Sequence, residues 1–423
     1  MIKFEKDVLA MLQALEQEGF ETYATGECIM DYAAGITPEA WTLVTKAARE
    51  DVLRILPEVE AAEGEEGALR VDRTYEEEDD KGVLHTKGYI CDIYHLGGTI
   101  EEEISQYGYT ACAVADNPAR QLVDPYDGME ANKKKLLKTI GDADELFEKE
   151  PIRMMQAMRY VSAYGMDLSV NLHDAILRNW RRLLDHDIAP IRADLEDILT
   201  GPNAGKALNM MFDTGLMAVI FGEEVARKIS AQEGKQFVEL CEGIDKVKPF
   251  RLRRLGLLYT VLNEKRGLAA IDRMQFDEKT AMHLHDAMTE MIKIQFIRNA
   301  PELKQYVFSM GMDRYNYVHN LSKAQRIVYD QPELRIEARN HMMREIRRNG
   351  EPLFVEDLVI DANDIMEAGI TDDPARAEEL LTYVIAKVHQ DPRNNDRKYL
   401  LKMAKKFNKS KFKVRTRYVH WLR

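Results

Sequence analysis

Residues 23 to 47 read YATGECIMDYAAGITPEAWTLVTKA. The close of this stretch, WTLVT (41–45), is rich in β-branched and aromatic side chains and reads as a strand. On its N-terminal side, Val8, Leu9, Leu12 and Leu15 recur on one face of an amphipathic helix that ends near Gly19. On its C-terminal side, ALRVDRT (68–74), GVLHTKG (82–88) and YICDIYHL (89–96) have the same strand character, and the last two are close enough to pair. Residues 1–140 therefore predict an α+β head, with a mostly antiparallel sheet and helices on one face. The acidic run Glu76–Asp80 reads as an exposed hairpin tip rather than a metal site.

From about Asp142 the strand signals stop and helical periodicity takes over, in EPIRMMQAMRYVSAYG, GKALNMMFDTGLMAVIF and AEELLTYVIAKVHQ. Breaks are predicted near Gly201-Pro202, Pro249, Pro301 and Asn349-Gly350-Glu351-Pro352. The remaining two thirds of the chain are therefore predicted to be helical. The 21 methionines fall mostly on apolar helix faces, where they read as core packing.

Composition bounds the rest. The 423 residues are 45% hydrophobic and 31% charged, so the chain can bury sizeable cores in more than one domain. It lacks a run of about 18 apolar residues, which predicts a cytoplasmic protein without a membrane partner. Cys28, Cys91, Cys112 and Cys241 are widely spaced, which argues against disulfides and structural zinc. The net charge of −13 is unevenly placed: Lys402, Lys405, Lys406, Lys409, Lys411, Lys413, Arg415, Arg417 and Arg423 lie in a C-terminal run with no acidic residue, leaving about −22 on the first 401. Phe407, Phe412, Tyr418 and Trp421 interleave with these cations, a pattern that suits single-stranded or looped RNA and equally a solvated terminus.

Beyond residues 23–47, three further stretches align in order: LVDPYDG (122–128), LKTIGDADELFEKEPIRMMQAMRY (137–160), and DLVIDANDIMEAGI with VIAKVHQDPRNN (357–370 and 384–395). Together they resemble the class II tRNA nucleotidyltransferases, the bacterial CCA-adding enzyme and poly(A) polymerase family, over nearly the whole chain. The resemblance implies a nucleotidyltransferase head with a mixed sheet (1–140), followed by helical neck (141–200), body (201–345) and tail (346–423). It also implies addition of C, C and A to a tRNA 3′ end with two magnesium ions. In such chemistry, carboxylates at alternate positions of one strand, with a third from a neighbouring strand, hold two cations about 4 Å apart.

The chain departs from the family at these positions. The Asp-x-Asp pair that the resemblance implies falls on Ala40 and Thr42, neither of which is a carboxylate, and Asp92 takes the third position. The Gly-Gly-x-x-Arg-Asp turn falls on Gly26-Glu27-Cys28-Ile29-Met30-Asp31, with Glu27 where phosphate is implied and Met30 in place of a cation. The Arg-Arg-Asp-Phe-Thr run falls on Gln106–Thr110, and the Asn that follows it on Cys112. Trp41, Tyr109, Ala113, Leu122 and Pro125 keep the family's packing character. The base-reading motif survives as Glu150 and Arg153, which share a helix face at that spacing and read either as a base contact or as a surface ion pair. Arg159 also has a counterpart and reads as a salt-bridged neck arginine. His285-Asp286 reads as part of an amphipathic helix.

Three readings follow. A degenerate nucleotidyltransferase would keep binding to tRNA or another structured RNA, through Lys402, Lys405, Lys406, Lys409, Lys411, Lys413, Arg415 and Arg417, and need no cofactor. An active enzyme would require Mg2+ on displaced ligands Asp31, Glu39 and Asp92. A scaffold would engage a protein partner instead.

Overall fold

The computed structural model describes residues 3–61, 68–78, 84–332 and 334–409. The chain divides into two compact units at Lys228–Ile229. That junction lies inside the stretch read as the body, and neither proline nor glycine marks it.

In the first unit, helix α1 (Lys6–Gln17) precedes strand β1 (Thr22–Thr25), helix α2 (Glu27–Ala34), strand β2 (Ala40–Thr45) and helix α3 (Arg49–Ile55). Strands β3 (Glu60–Ala61), β4 (Leu69–Asp72), β5 (Tyr75–Glu78), β6 (Leu84–Lys87) and β7 (Ile90–His95) follow, then helix α4 (Ile100–Ser105) and strand β8 (Ala115–Asp116). Six of these strands form one sheet in the order β3-β4-β7-β2-β1-β8. Only β2 and β7 run parallel; the other pairs are antiparallel. The α+β head with a mixed sheet is thus present.

Alternation sets the two faces. Trp41 and Leu43, Leu69 and Val71, and Cys91 and Ile93 point into a core with Val8, Leu12 and Leu15 of α1. Each fully buried leucine or isoleucine there stabilises the head by roughly 1.5–3 kcal/mol. Met11, rather than Leu9, completes the buried stripe of α1. Trp41 is 1% exposed and stacks on Phe4 with ring centroids 5.5 Å apart. The opposite face carries Tyr23 and Val44 under Ile100 and Ile104 of α4.

The described residues of the two segments, 84–88 and 89–96, do not pair with each other. Strand β6 pairs with β5, and β7 pairs with β4, in one unbroken register: Tyr75 faces Lys87 as Asp72 faces Ile90. The two segments are a single strand bent at Gly88, whose φ is +98° and where a Cβ would sit 2.1 Å from the Arg73 carbonyl oxygen. A side chain there would close off the bend, which is why the pattern broke at that residue. Of the acidic run, Glu76–Glu78 lie in β5, and positions 79–80 fall outside the described residues.

Helices α5 (Gly128–Lys134), α6 (Ala143–Lys149), α7 (Arg153–Tyr164), α8 (Val170–Asn179) and α9 (Ile188–Thr200) complete most of the first unit. A short parallel pairing of Leu136–Leu137 with Asp167–Leu168 lies among them, against the expectation that strands end before 142. Asp124 of LVDPYDG accepts from the Gly128 and Met129 amides at 2.6 and 3.0 Å and so seats the start of α5. Leu122 is 46% exposed and Pro125 is also at the surface, so these two do not pack as expected; Trp41, Tyr109 and Ala113 do.

The second unit is helical. Its last helices, Pro374–Gln390 and Arg397–Lys409, enclose a core that includes Leu380, Val384, Val388, Leu400 and Ala404. The break predicted near Pro301 falls just before it: residues 297–299 are non-helical, and Pro301 sits in the first turn of helix Ala300–Met310, where its missing N–H costs nothing.

Candidate nucleotide site and basic helix

The strand alternation that buries Trp41, Leu43, Cys91 and Ile93 sends Ala40, Thr42 and Asp92 to the other face. Thr42 is the direct neighbour of Asp92 in the parallel pair β2·β7. On the far side of β7, Arg70 is the antiparallel neighbour of Asp92. Thr25, Thr42, Asp92 and Arg70 therefore stand in one row across four strands. The row lies beyond the part of this face that Ile100 and Ile104 cover through Val44.

Asp92 is engaged on both oxygens. Arg70 Nε donates to Oδ1 at 2.6 Å and Nη2 to Oδ2 at 2.8 Å, a bidentate pair with the two side chains 30% and 19% exposed. Arg70 had no role in the sequence reading. Its signal was the arginine inside the otherwise apolar alternation of ALRVDRT, but its partner is 22 residues away and only the strand pairing identifies it.

A magnesium pair requires several anionic oxygens in one place. Ala40 and Thr42 offer none, and Asp92 spends both of its own on a guanidinium, so the residues present do not fit such a pair. The alternative ligands do not join Asp92. Asp31 accepts from the Tyr164 hydroxyl at 2.9 Å, and Glu39 is exposed, its backbone carbonyl receiving the Ile90 amide. Among the described residues no set of three His, Cys, Asp or Glu side chains is gathered to hold a metal ion. Burial pushes the Asp31 carboxyl up to about 6, with Glu27 and Glu39 adding to the rise and Tyr164 opposing it.

The Gly26 turn has φ +83° and leads straight into α2, and Glu27 at its start is bound by the protein itself. Arg159 of α7 pairs with Glu27 Oε1, and the Tyr160 hydroxyl donates to the same oxygen at 3.0 Å. Arg159 also reaches Asp194 at 3.5 Å and Asp197 at 3.8 Å, both on α9. One guanidinium thus serves three carboxylates. Burial is the main reason that Asp194 rises to about 6, with Arg159 opposing it.

Glu150 and Arg153 meet, but not on a shared helix face. Glu150 caps the end of α6 in a non-helical conformation and Arg153 opens α7, so the pair closes the turn between two helices. Proline at 151 explains this, because it disfavours helical geometry in the residue before it. Arg153 Nε donates to Glu150 at 2.8 Å and Nη1 to Gln156 at 2.8 Å, while the carbonyls of Tyr107 and Gln106 accept from the guanidinium at 3.4 Å. Tyr109 is fully buried and donates to the Arg153 carbonyl at 2.6 Å. The segment Gln106–Tyr109 and Arg153 form one packed joint. Cys28 and Cys112 are buried free thiols, each pushed up to about 12 mainly by that burial.

In the second unit, His285 meets Asp272 at the surface, while the buried Asp286 pairs with Arg314, so both members of that dipeptide have structural partners. In the helix Arg397–Lys409, the exposed residues Lys398, Lys402, Lys405, Lys406 and Lys409 follow helical spacing and form one stripe. A shallow recess of about 490 Å³ is lined by Tyr399, Met403 and four of these lysines. None of the stripe's lysines has a carboxylate partner among the described residues. Phe407 is not available to bases: its ring stacks on Tyr383 at 3.8 Å, with Arg376 over it at 5.4 Å. Lys411, Lys413, Arg415, Arg417, Phe412, Tyr418 and Trp421 lie outside the described residues.

No helix among the described residues is long and apolar enough to cross a membrane. No known protein-family model matches the chain. Over 295 residues it is 27% identical to the CCA-adding enzyme of Geobacillus kaustophilus, covering 63% of this chain and 70% of that one. The Geobacillus stearothermophilus CCA-adding enzyme is 28% identical over 287 residues, covering 61% and 68%. The fold matches the Bacillus stearothermophilus CCA-adding enzyme solved with CTP, with a TM-score of 0.74, 21% identity and coverage of 95% and 97%. It also matches the Thermotoga maritima CCA-adding enzyme complexed with tRNA, with a TM-score of 0.60, 16% identity and coverage of 96% of each chain. In sequence and in fold, the chain is similar to the CCA-adding enzymes, which supports a class II tRNA nucleotidyltransferase-like family.

Proposed function

We propose that this chain is a CCA-adding-enzyme-like protein that has lost nucleotide addition and kept RNA binding, with tRNA or another structured RNA as its partner. The observation that carries this reading is the row on β2 and β7. One carboxylate, Asp92, stands where the chemistry needs several, with Thr42 beside it and Ala40 two residues before on the same face. A hydroxyl and a methyl group cannot activate a 3′ hydroxyl or stabilise departing pyrophosphate through cations. The stripe Lys398–Lys409 supports the RNA half, since lysines on one helix face supply phosphate contacts without a sequence preference. A structural relative complexed with tRNA makes tRNA the first partner to test. Within this reading, head, neck, body and tail are the divisions 1–140, 141–200, 201–345 and 346–423, and the protein works in the cytoplasm without a metal cofactor.

The test is incubation of purified protein with tRNA transcripts lacking part or all of CCA, labelled CTP or ATP, and magnesium or manganese, with RNA binding read from the same samples. Binding without extension is expected. Extension would sink the proposal, and absence of both would move the search to protein partners.

A further inference from the structure

The remnant pocket is not merely short of ligands. Two of its charged elements, Asp92 and Arg159, are each matched by a side chain of opposite charge from elsewhere in the first unit. Asp92 receives two hydrogen bonds from Arg70, at 2.6 and 2.8 Å. Arg159 is paired with Glu27, which sits where the family resemblance implies phosphate. We infer that Arg70 and Glu27 are built-in counter-ligands: the Arg70 guanidinium holds the cation position on Asp92, and the Glu27 carboxylate holds the anion position on Arg159. The inference rests on the reading of this face as a remnant nucleotide pocket, and goes beyond it by assigning the closure to two specific residues.

The physical argument is one of competition. A divalent ion reaching Asp92 must displace a bidentate guanidinium, whose fork matches the carboxylate and whose hydrogen bonds are charge-assisted. Breaking that pair removes two charge-assisted hydrogen bonds at a position where Asp92 is 19% exposed, so the exchange carries a cost. A triphosphate reaching Arg159 meets Glu27 already in place, with Asp194 and Asp197 on the same guanidinium and Asp31 on the next turn of α2. Carboxylates, whose charge repels phosphate, therefore surround the Arg159 guanidinium.

This has a counterintuitive consequence. Restoring the missing carboxylates alone does not restore a metal site, because Arg70 remains on Asp92. Residue 42 is the neighbour of Asp92 across one strand spacing of about 4.8 Å, so a carboxylate there can share a cation with Asp92 once Arg70 is gone.

The test uses the full chain and Mn2+, with binding read from loss of the free-ion electron paramagnetic resonance signal. The variants are Ala40→Asp/Thr42→Asp and the same pair with Arg70→Ala. The triple variant is expected to bind Mn2+ roughly tenfold or more tighter than the double variant, and the double variant no better than wild type. If the triple variant does not fold by circular dichroism, Arg70→Gln replaces Arg70→Ala, since it removes the charge and keeps a donor near Asp92. In a second arm, Glu27→Ala is titrated with inorganic tripolyphosphate in metal-free buffer and is expected to bind where wild type does not. Equal Mn2+ affinity of the double and triple variants would overturn the role of Arg70. Tripolyphosphate binding by wild type equal to that of Glu27→Ala would overturn the role of Glu27. Neither result bears on tRNA affinity or extension, which test the proposed function separately.

Discussion

Replacing Lys402, Lys405, Lys406 and Lys409 together with alanine tests the lysine stripe most directly. These residues are exposed on one side of the helix Arg397–Lys409, opposite the buried Leu400 and Ala404. With a rise of 1.5 Å per residue, the stripe from Lys398 to Lys409 runs about 16 Å, enough to follow several phosphates. Each lysine that neutralises a phosphate contributes about −0.7 to −0.9 to the slope of log K against log salt, so four lost contacts flatten the slope by about 3 to 4. Between 50 and 200 mM salt, wild-type affinity should then fall about 50- to 150-fold more than that of the variant. Alanine is the stronger helix former, and no core residue changes, so the helix persists. The assay is fluorescence anisotropy with a labelled tRNA transcript across that salt range, with circular dichroism as the folding control. A variant that binds RNA with the wild-type slope would refute the stripe as a phosphate-contacting surface.

Other perturbations probe the head, neck and tail. Asp31 is pushed up to about 6 from an ordinary value of 3.8, so its ionised form opposes folding above that pH, and its contribution improves as pH falls through 6 towards 4. Asp31→Asn should therefore raise stability at pH 7.5 by on the order of 1 kcal/mol, after allowance for solvent screening, and have no stabilising effect near pH 4, as read from urea unfolding. Arg153→Ala strands the carbonyls of Gln106 and Tyr107 and should cost about 1.5–3 kcal/mol, whereas Glu150→Ala, at a half-exposed site, should cost under about 1 kcal/mol; equal effects would contradict the joint described for Arg153. Phe407→Leu should destabilise the tail core by about 1–2 kcal/mol through loss of the stack on Tyr383, while RNA affinity at low salt stays within about twofold. A large loss of affinity with unchanged stability would return Phe407 to a base-stacking role.

Local pattern determined much of this protein. The β-branched content of WTLVT, the alternation in ALRVDRT and YICDIYHL, and the 3.6-residue period after Asp142 are read from neighbours in the chain, and the elements form where those patterns lie. The absence of carboxylates at Ala40 and Thr42 is likewise a matter of residue identity, legible once the surrounding motifs set the register. The stripe of lysines follows from helical spacing alone.

What only the tertiary structure decided depends on contacts between distant segments. Arg70 meets Asp92 because β4 pairs with β7, and nothing within either strand specifies that partner. Arg159 meets Glu27 across 132 residues, and Phe407 turns from a candidate stacking platform into core because Tyr383 lies beside it. The bend at Gly88 joined what looked like two strands, and Pro151 put Glu150 outside the helix that Arg153 begins. In each case side-chain type set what a residue could do, and packing chose the partner, because a charge or ring takes whichever complementary group the fold brings within a few ångströms.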